Sequence, residues 1–397
     1  MSEGGNPWTS RLSLLVLTHV AGTLSIVSVL AMAPVVTRDL GLNAAEFGLF
    51  ITAYYGAQAV LSMPAGGLVD RIGIGRSLIV CHAVMVVGAI LFSQAQNFQM
   101  ALAALAAMGA GYSISNPATA RGVLEWFPVE RRATAMGIKQ VGVPIGGILG
   151  AGNGALVTMV AWADIMLGVA ALVAINGILC LRLARLPNHA VERGKRHLLA
   201  NIREVIRDWN INRFVLLNGL YNFGQTNFFT FLTLFMRDVA LASQPMASLS
   251  IGIAQAASAV ARIGWGVVSD TVFRGRRKEL TVWLGGVAVV GLCSLLWVGP
   301  GPGVYLGLGL ALLLGVTIAS FAPLVQTLAV EATEPRLAGT SMGYNMFGAH
   351  IGGMIGPPVF GAIVDASGSY QAGWLVTAAV VCLGVGLLAF GFRERGR

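Results

Sequence analysis

Apolar residues in this 397-residue chain gather into long blocks, separated by short stretches that carry charge, glycine or proline. Twelve such blocks predict helices near residues 12–36, 46–69, 77–96, 98–120, 134–158, 162–183, 213–236, 246–269, 280–299, 302–328, 341–364 and 373–392. Each approaches the ~20 residues that carry an α-helix across a ~30 Å hydrocarbon core. Lipid offers no hydrogen-bond partners, so backbone groups must bond within their own segment, as helices do and lone strands cannot. The pattern predicts an all-α membrane protein with twelve transmembrane helices.

The chain also repeats itself. Gly66, Asp70, Gly75 and Arg76 return 200 residues later as Gly266, Asp270, Gly275 and Arg276. Met136-Gly137, Gly142, Gly146-Gly147 and Gly150 return 206 residues later as Met342-Gly343, Gly348, Gly352-Gly353 and Gly356, and Arg38-Asp39 returns as Arg237-Asp238. Each match falls on the same helix or loop of its half, so two pseudo-symmetric six-helix bundles are expected. The expected boundaries are residues 1–185 for the first bundle, 186–212 for a cytoplasmic linker and 213–397 for the second bundle. Within the linker, Arg196 to Arg207 suits either a short amphipathic helix on the inner leaflet, where anionic lipid attracts basic side chains, or a solvated connection.

Composition narrows the class. Apolar residues make up 56% of the chain and charged ones only 11%, against about 25% charge in an ordinary soluble domain. Soluble enzymes, secreted disulfide scaffolds and disordered tails are excluded on that balance. The 52 glycines suit helices that pack closely through small residues. The formal net charge of +9 looks like a nucleic-acid signal until its distribution is read. With both termini in the cytoplasm, all but four of the 26 Lys and Arg fall in the termini and inner loops; Lys139 and Arg262 are embedded, and Arg38 and Arg237 lie outside. That is the positive-inside pattern, and no nucleic-acid partner is expected. Cys81, Cys180, Cys293 and Cys382 sit in apolar runs without metal-ligand spacing, so reduced thiols, no metal and no cofactor are expected. The polar start, Met1 to Ser10, leads into a block too long for the apolar core of a signal peptide.

Two loops carry a signature. Between the second and third blocks the chain reads Gly66-Gly67-Leu68-Val69-Asp70-Arg71-Ile72-Gly73-Ile74-Gly75-Arg76. Its counterpart reads Gly266-Val267-Val268-Ser269-Asp270, followed by Arg274, Arg276, Arg277 and Lys278. Glycines let two helices approach at the membrane face, and an acid followed by bases forms a polar latch. Both loops resemble the signature loop of the major facilitator superfamily, and the resemblance covers essentially the whole chain. It implies gating roles for Asp70, Arg71, Arg76, Asp270, Arg276 and Arg277. Two departures stand out: Ile74 and Gly75 replace the usual basic residues, and the fourth block, at Leu105 to Gly109, lacks the arginine often tied to proton coupling in this family. Gly142-Val143-Pro144 only loosely resembles the Gly-Pro signature of drug antiporters, because Val143 replaces a glycine.

None of the 17 Asp and Glu residues falls mid-span, whereas Lys139, Arg262, His19, His82 and His350 are embedded. That sign suits an anion rather than a cationic drug. Arg262 lies roughly 10 Å inside the eighth block at ~1.5 Å per residue, and a charge near a span's centre costs about 2.5–3.5 kcal/mol on insertion scales. Its planar fork suits a carboxylate. An arginine in span 8 also resembles the arrangement in oxalate:formate exchangers and monocarboxylate transporters, which implies contact with the substrate. The structural alternative is an arginine that snorkels inward or pairs with Asp270. Lys139, a few residues into the fifth block, either faces a cavity or snorkels to the interface. His350 and His19 are candidates to carry a coupled proton, because histidine changes charge near neutral pH, and His350 also to contact the substrate. Tyr221, Asn222, Asn345 and Tyr55 lie on spans that line the cavity in this family, which makes them candidate substrate contacts.

These readings predict a proton-coupled symporter that imports a small organic anion, a carboxylate, by alternating access. An anion exchanger and an efflux antiporter for drugs or metabolites are the alternatives. No enzymatic role is expected. The expected setting is a monomer, multi-pass in a bacterial inner membrane, with the lipid bilayer, a small anionic substrate and H+ as partners.

Overall fold

The computed structural model describes residues 7–186, 203–273, 276–331 and 338–391. Most of the expected linker lies outside the described residues, as do Arg274, Gly275 and the side chain of Asp270. No strand occurs among the described residues. In the first half the helices are α1 (Leu12–Ala31), α2 (Ala33–Leu40), α3 (Ala44–Ile72), α4 (Ile74–Ser93), α5 (Phe98–Tyr112), α6 (Ser115–Trp126), α7 (Val129–Leu156) and α8 (Trp162–Leu179). In the second they are α9 (Trp209–Asp238), α10 (Gln244–Thr271), α11 (Arg277–Ser294), α12 (Gly303–Val316), α13 (Ala322–Glu331), α14 (Ala338–Ser367) and α15 (Tyr370–Gly386). Each apolar block coincides with one helix or with a broken pair. Eight helical stretches among the described residues are long and apolar enough to cross a membrane. The helix α9 is not among them, because Asn218, Asn222, Gln225 and Asn227 dilute its apolar content.

Several blocks expected as single helices are interrupted, the first of them at Met32 between α1 and α2. α5 and α6 part at Ser113-Ile114, and α12 and α13 part over residues 317–321. Proline has no N–H and its ring clashes with the carbonyl four residues back. Pro117 and Pro323 therefore cannot continue the ladder to Ser113 and Ala319, and each stands in the first turn of the new helix, where a missing N–H is tolerated.

By internal contacts the chain divides into two units, Met1–Leu42 with Ala53–Val191, and Asn43–Thr52 with Glu192–Arg397. In the first unit α1 is buried on nearly every side, as a helix apolar all round must be. It packs along α7, where glycines every fourth residue let the backbones touch. A Cβ on Gly142 would lie 2.4 Å from the Val16 carbonyl oxygen, and one on Gly146 would lie 2.4 Å from that of Val20. The second unit repeats this seam between α9 and α14. There a Cβ on Gly348 would lie 2.6 Å from the Val215 oxygen, and one on Gly352 would lie 1.9 Å from the Gly219 oxygen. The sequence repeat is thus a repeated helix-helix contact.

Further along the second unit, Phe231 stacks on Phe360 with ring centroids 4.3 Å apart, and Trp374 meets Phe360 edge-on at 4.7 Å. The first turns of α3 group with this unit. The Asp365 carboxylate accepts the Ala44 and Ala45 N–H groups at 3.0 and 2.8 Å, which places a negative charge on a helix N-terminus.

Candidate substrate-binding site

In the first unit three helices converge on one hydroxyl, and a fourth reaches it through His19. Thr119, on α6 just beyond the proline break, donates to the Ser115 carbonyl oxygen at 2.7 Å, the usual back-bond of a helical threonine. The Lys139 Nζ, on α7, donates to Thr119 Oγ1 at 3.0 Å. The His19 Nε2, on α1, lies 3.1 Å from the same oxygen, and His19 Nδ1 lies 3.2 Å from the Tyr112 hydroxyl on α5. Lys139 is 3% exposed, His19 1% and Thr119 0%. The ring of Tyr54 stacks beside Tyr112 at 6.4 Å. The Tyr54 hydroxyl is buried and has no hydrogen-bond partner among the described residues.

Charge compensation separates Lys139 from its neighbour Arg121. Arg121 bonds the Glu125 carboxylate at 2.5 Å, the Asp70 carboxylate at 3.3 Å and the Val69 carbonyl oxygen at 2.8 Å. Among the described residues, no carboxylate lies within 4.0 Å of Lys139. Removing an ammonium from water costs several kcal/mol unless an opposite charge or a full set of acceptors replaces the solvent. One threonine oxygen is not a full set for a three-donor group.

The second unit carries a different polar cluster. Asn218 Nδ2 donates to the Asn345 carbonyl oxygen at 3.0 Å and to Asn345 Oδ1 at 2.9 Å, and Asn222 Nδ2 donates to Asn218 Oδ1 at 3.0 Å. Asn345 Nδ2 is buried without a hydrogen-bond partner among the described residues.

The sequence model of the Major Facilitator Superfamily matches residues 14–357, with a second match over 214–397. The chain belongs to the Major Facilitator Superfamily. It is a transporter and not an enzyme, and a multi-pass membrane protein. It is 24% identical over 402 residues to the probable sulfoacetate transporter SauU of Cupriavidus necator, covering 95% of this chain and 92% of that one. It is 22% identical to the hexuronate transporter of Bacillus subtilis, covering 93% and 92%. Over 54% of this chain and 55% of the other it is 25% identical to the quinolone resistance protein NorA of Staphylococcus aureus. In fold it is similar to a point mutant of the nucleoside transporter NupG, with a TM-score of 0.81 at 15% identity over 96% of this chain and 100% of that one.

This Major Facilitator Superfamily chain distributes its sequence-derived candidates unevenly. His19 and Lys139 are joined through Thr119, and Asn222 and Asn345 through Asn218. Tyr55 is half-buried with its ring edge-on to Tyr54 at 5.5 Å. His350 is half-buried on α14, five residues past Asn345. Tyr221 sits in an apolar core with Phe214, Leu217 and Phe321, its hydroxyl 3.3 Å from the Thr281 carbonyl oxygen. In the signature loops Asp70 meets Arg121, Arg71 and Arg76 are exposed, and Arg276 pairs with Glu279 at 3.2 Å. Arg277 opens α11, half-buried.

Arg262 has a duty in the fold. The break before Pro323 frees carbonyls that a continuous helix would satisfy. Trp265 Nε1 donates to the Val316 oxygen at 2.6 Å and Gln225 Nε2 to the Ile318 oxygen at 3.0 Å. The Ala319 oxygen receives Ser258 Oγ at 2.8 Å and an Arg262 guanidinium N–H at 3.2 Å. A hydrogen bond from a charged donor contributes about 1.5–3 kcal/mol. Arg262→Ala is therefore expected to lower the thermal midpoint of the detergent-solubilised protein by several degrees. An unchanged melt would remove this role.

Sequence reasoning missed Thr119 and Tyr112. It also missed a correspondence that its own offsets contain. Lys139 stands 206 residues before Asn345, and His19 stands before Asn218 by the interval that separates Arg38 from Arg237. At equivalent points of two equivalent seams, the first unit holds an ammonium and an imidazole and the second holds two amides.

Proposed function

We propose that this protein imports a small organic anion together with protons across a bacterial inner membrane, acting as a monomer, and that Lys139 anchors the anion's charge. The observation that carries this reading is the buried Lys139 ammonium, which has one threonine hydroxyl and no carboxylate within 4.0 Å among the described residues. The full-length likeness to transporters named for sulfoacetate and hexuronate supports an anionic cargo. An anion moving inward alone works against the membrane potential at about 2.3 kcal/mol per charge per 100 mV, and protons moving with it remove that cost. Tyr55, Asn222 and Asn345 are proposed as further polar contacts. The loops around Asp70 and Asp270 are proposed to make and break polar contacts as the protein alternates its access.

The partial likeness to NorA favours a second reading, efflux. Reconstituted proteoliposomes separate the two. With an inward pH gradient, labelled sulfoacetate or glucuronate should accumulate, and a protonophore should abolish accumulation. Uptake that requires internal unlabelled anion indicates exchange. Extrusion of a fluorescent cation with no anion uptake would overturn the proposal in favour of efflux.

A further inference from the structure

We propose that His19 takes up the coupled proton, and that Thr119 makes this uptake conditional on an anion at Lys139. The inference rests on the anion reading above and extends it to the proton. The Thr119 hydroxyl hydrogen is spent on the Ser115 carbonyl oxygen, so both other neighbours must donate to its oxygen. Lys139 donates an ammonium hydrogen, and His19 donates from Nε2. A neutral His19 then carries its hydrogen on Nε2 and its lone pair on Nδ1, where the Tyr112 hydroxyl donates. The hydrogen-bond network leaves a single vacancy for a proton on this ring, and that vacancy is Nδ1.

The surroundings decide when it fills. His19 Nε2 and Lys139 Nζ each lie about 3 Å from one oxygen, and so within about 6 Å of each other. The helices packed on α1 bring few other titratable groups near. α4 brings His82, whose ring is held by the Leu78 carbonyl oxygen and by Asn176, and the Cys81 thiol; Cys180 follows α8. Arg121 of α6 is held by Asp70 and Glu125. Arg11 precedes α1, with its guanidinium 5.5 Å from the Trp126 ring centre. Asp164 opens α8, and Arg38 and Asp39 pair in α2 at 2.9 Å, beyond the other end of α1. No carboxylate pairs with His19 among the described residues. A second positive charge there is repelled by Lys139 until an anion neutralises the ammonium. The anion then arrives, one proton bonds to Nδ1, and the Tyr112 hydroxyl turns from donor to acceptor. When the anion leaves, repulsion returns and the Nδ1 proton departs. One proton accompanies one anion, and no other covalent bond changes.

The second unit supplies the control. Asn218 and Asn345 occupy the corresponding positions and bond directly to each other. Asparagine therefore already packs at this kind of helix crossing, so His19→Asn is a substitution the architecture accommodates. The test is titration calorimetry of the purified protein with sulfoacetate, and in parallel with glucuronate, in two buffers of different ionisation enthalpy. Wild type should take up one proton per bound anion, and its affinity should fall as pH rises. At pH values low enough to keep Lys139 fully charged, His19→Asn should bind the anion with no proton uptake and no pH dependence. Thr119→Val should bind it with proton uptake reduced at least twofold. Binding to wild type without proton uptake, or undiminished uptake in His19→Asn, overturns the assignment of His19 and leaves the anion reading intact. Absence of binding to wild type removes both.

Discussion

Protein carrying Lys139→Asn is expected to fold and to lose anion uptake almost completely. Truncating one member of a desolvated, hydrogen-bonded charge pair costs about 2–5 kcal/mol, roughly thirty- to several-thousand-fold in affinity. Lys139 is 3% exposed and keeps Thr119 Oγ1 as its hydrogen-bond partner at 3.0 Å, so water has little part in holding its charge. The substitution installs the residue found at the equivalent place in the second unit, Asn345. The expected result is an unchanged or raised melting temperature with no measurable binding at concentrations that saturate wild type. Wild-type affinity in Lys139→Asn would remove the anchor from the account.

The second large effect concerns the glycine seams. A Cβ at Gly352 would stand 1.9 Å from the Gly219 carbonyl oxygen, and one at Gly146 would stand 2.4 Å from that of Val20. The obstacles are backbone atoms, which cannot turn aside as a side chain can. Over-packing a close-packed interior costs about 1–3 kcal/mol where side chains can adjust, so backbone contact places these positions at or above that range. Gly146→Ala and Gly352→Ala should sharply reduce the yield of monodisperse protein and its melting temperature. Gly137 and Gly343 lie on the same two helices with nothing within 4 Å of an added Cβ. Gly137→Ala and Gly343→Ala should be neutral or slightly stabilising, since alanine is the better helix former. Equal effects at all four positions would show that neither seam holds its own unit together.

The fold was legible because membrane burial writes long apolar blocks, and because a duplicated chain prints the same glycines twice. The breaks before Pro117 and Pro323 were legible in principle. Each proline removes one ladder bond, but an apolar block reads through it, so hydropathy joined α5 to α6 and α12 to α13. The site was legible in sign more than in place. Embedded bases without embedded acids pointed to an anion. Depth, the planar fork and a resemblance to carboxylate transporters then ranked Arg262 above Lys139, because a sequence does not show which charge already has acceptors. The structure gives the Arg262 guanidinium the Ala319 oxygen that Pro323 leaves free, and gives Arg121 two carboxylates. Lys139 receives a single hydroxyl. Thr119 and Tyr112 carried no signal of their own, since a threonine and a tyrosine in an apolar helix are ordinary residues until a lysine and a histidine meet them.

The most direct measurement is an experimental density map of the protein with sulfoacetate or glucuronate bound. The account predicts a carboxylate or sulfonate oxygen within hydrogen-bond distance of Lys139 Nζ, with the Thr119 hydroxyl still bridging Lys139 and His19. An anion seated elsewhere in the protein, with Lys139 Nζ bound to Thr119 as before and no anionic oxygen beside it, would contradict it.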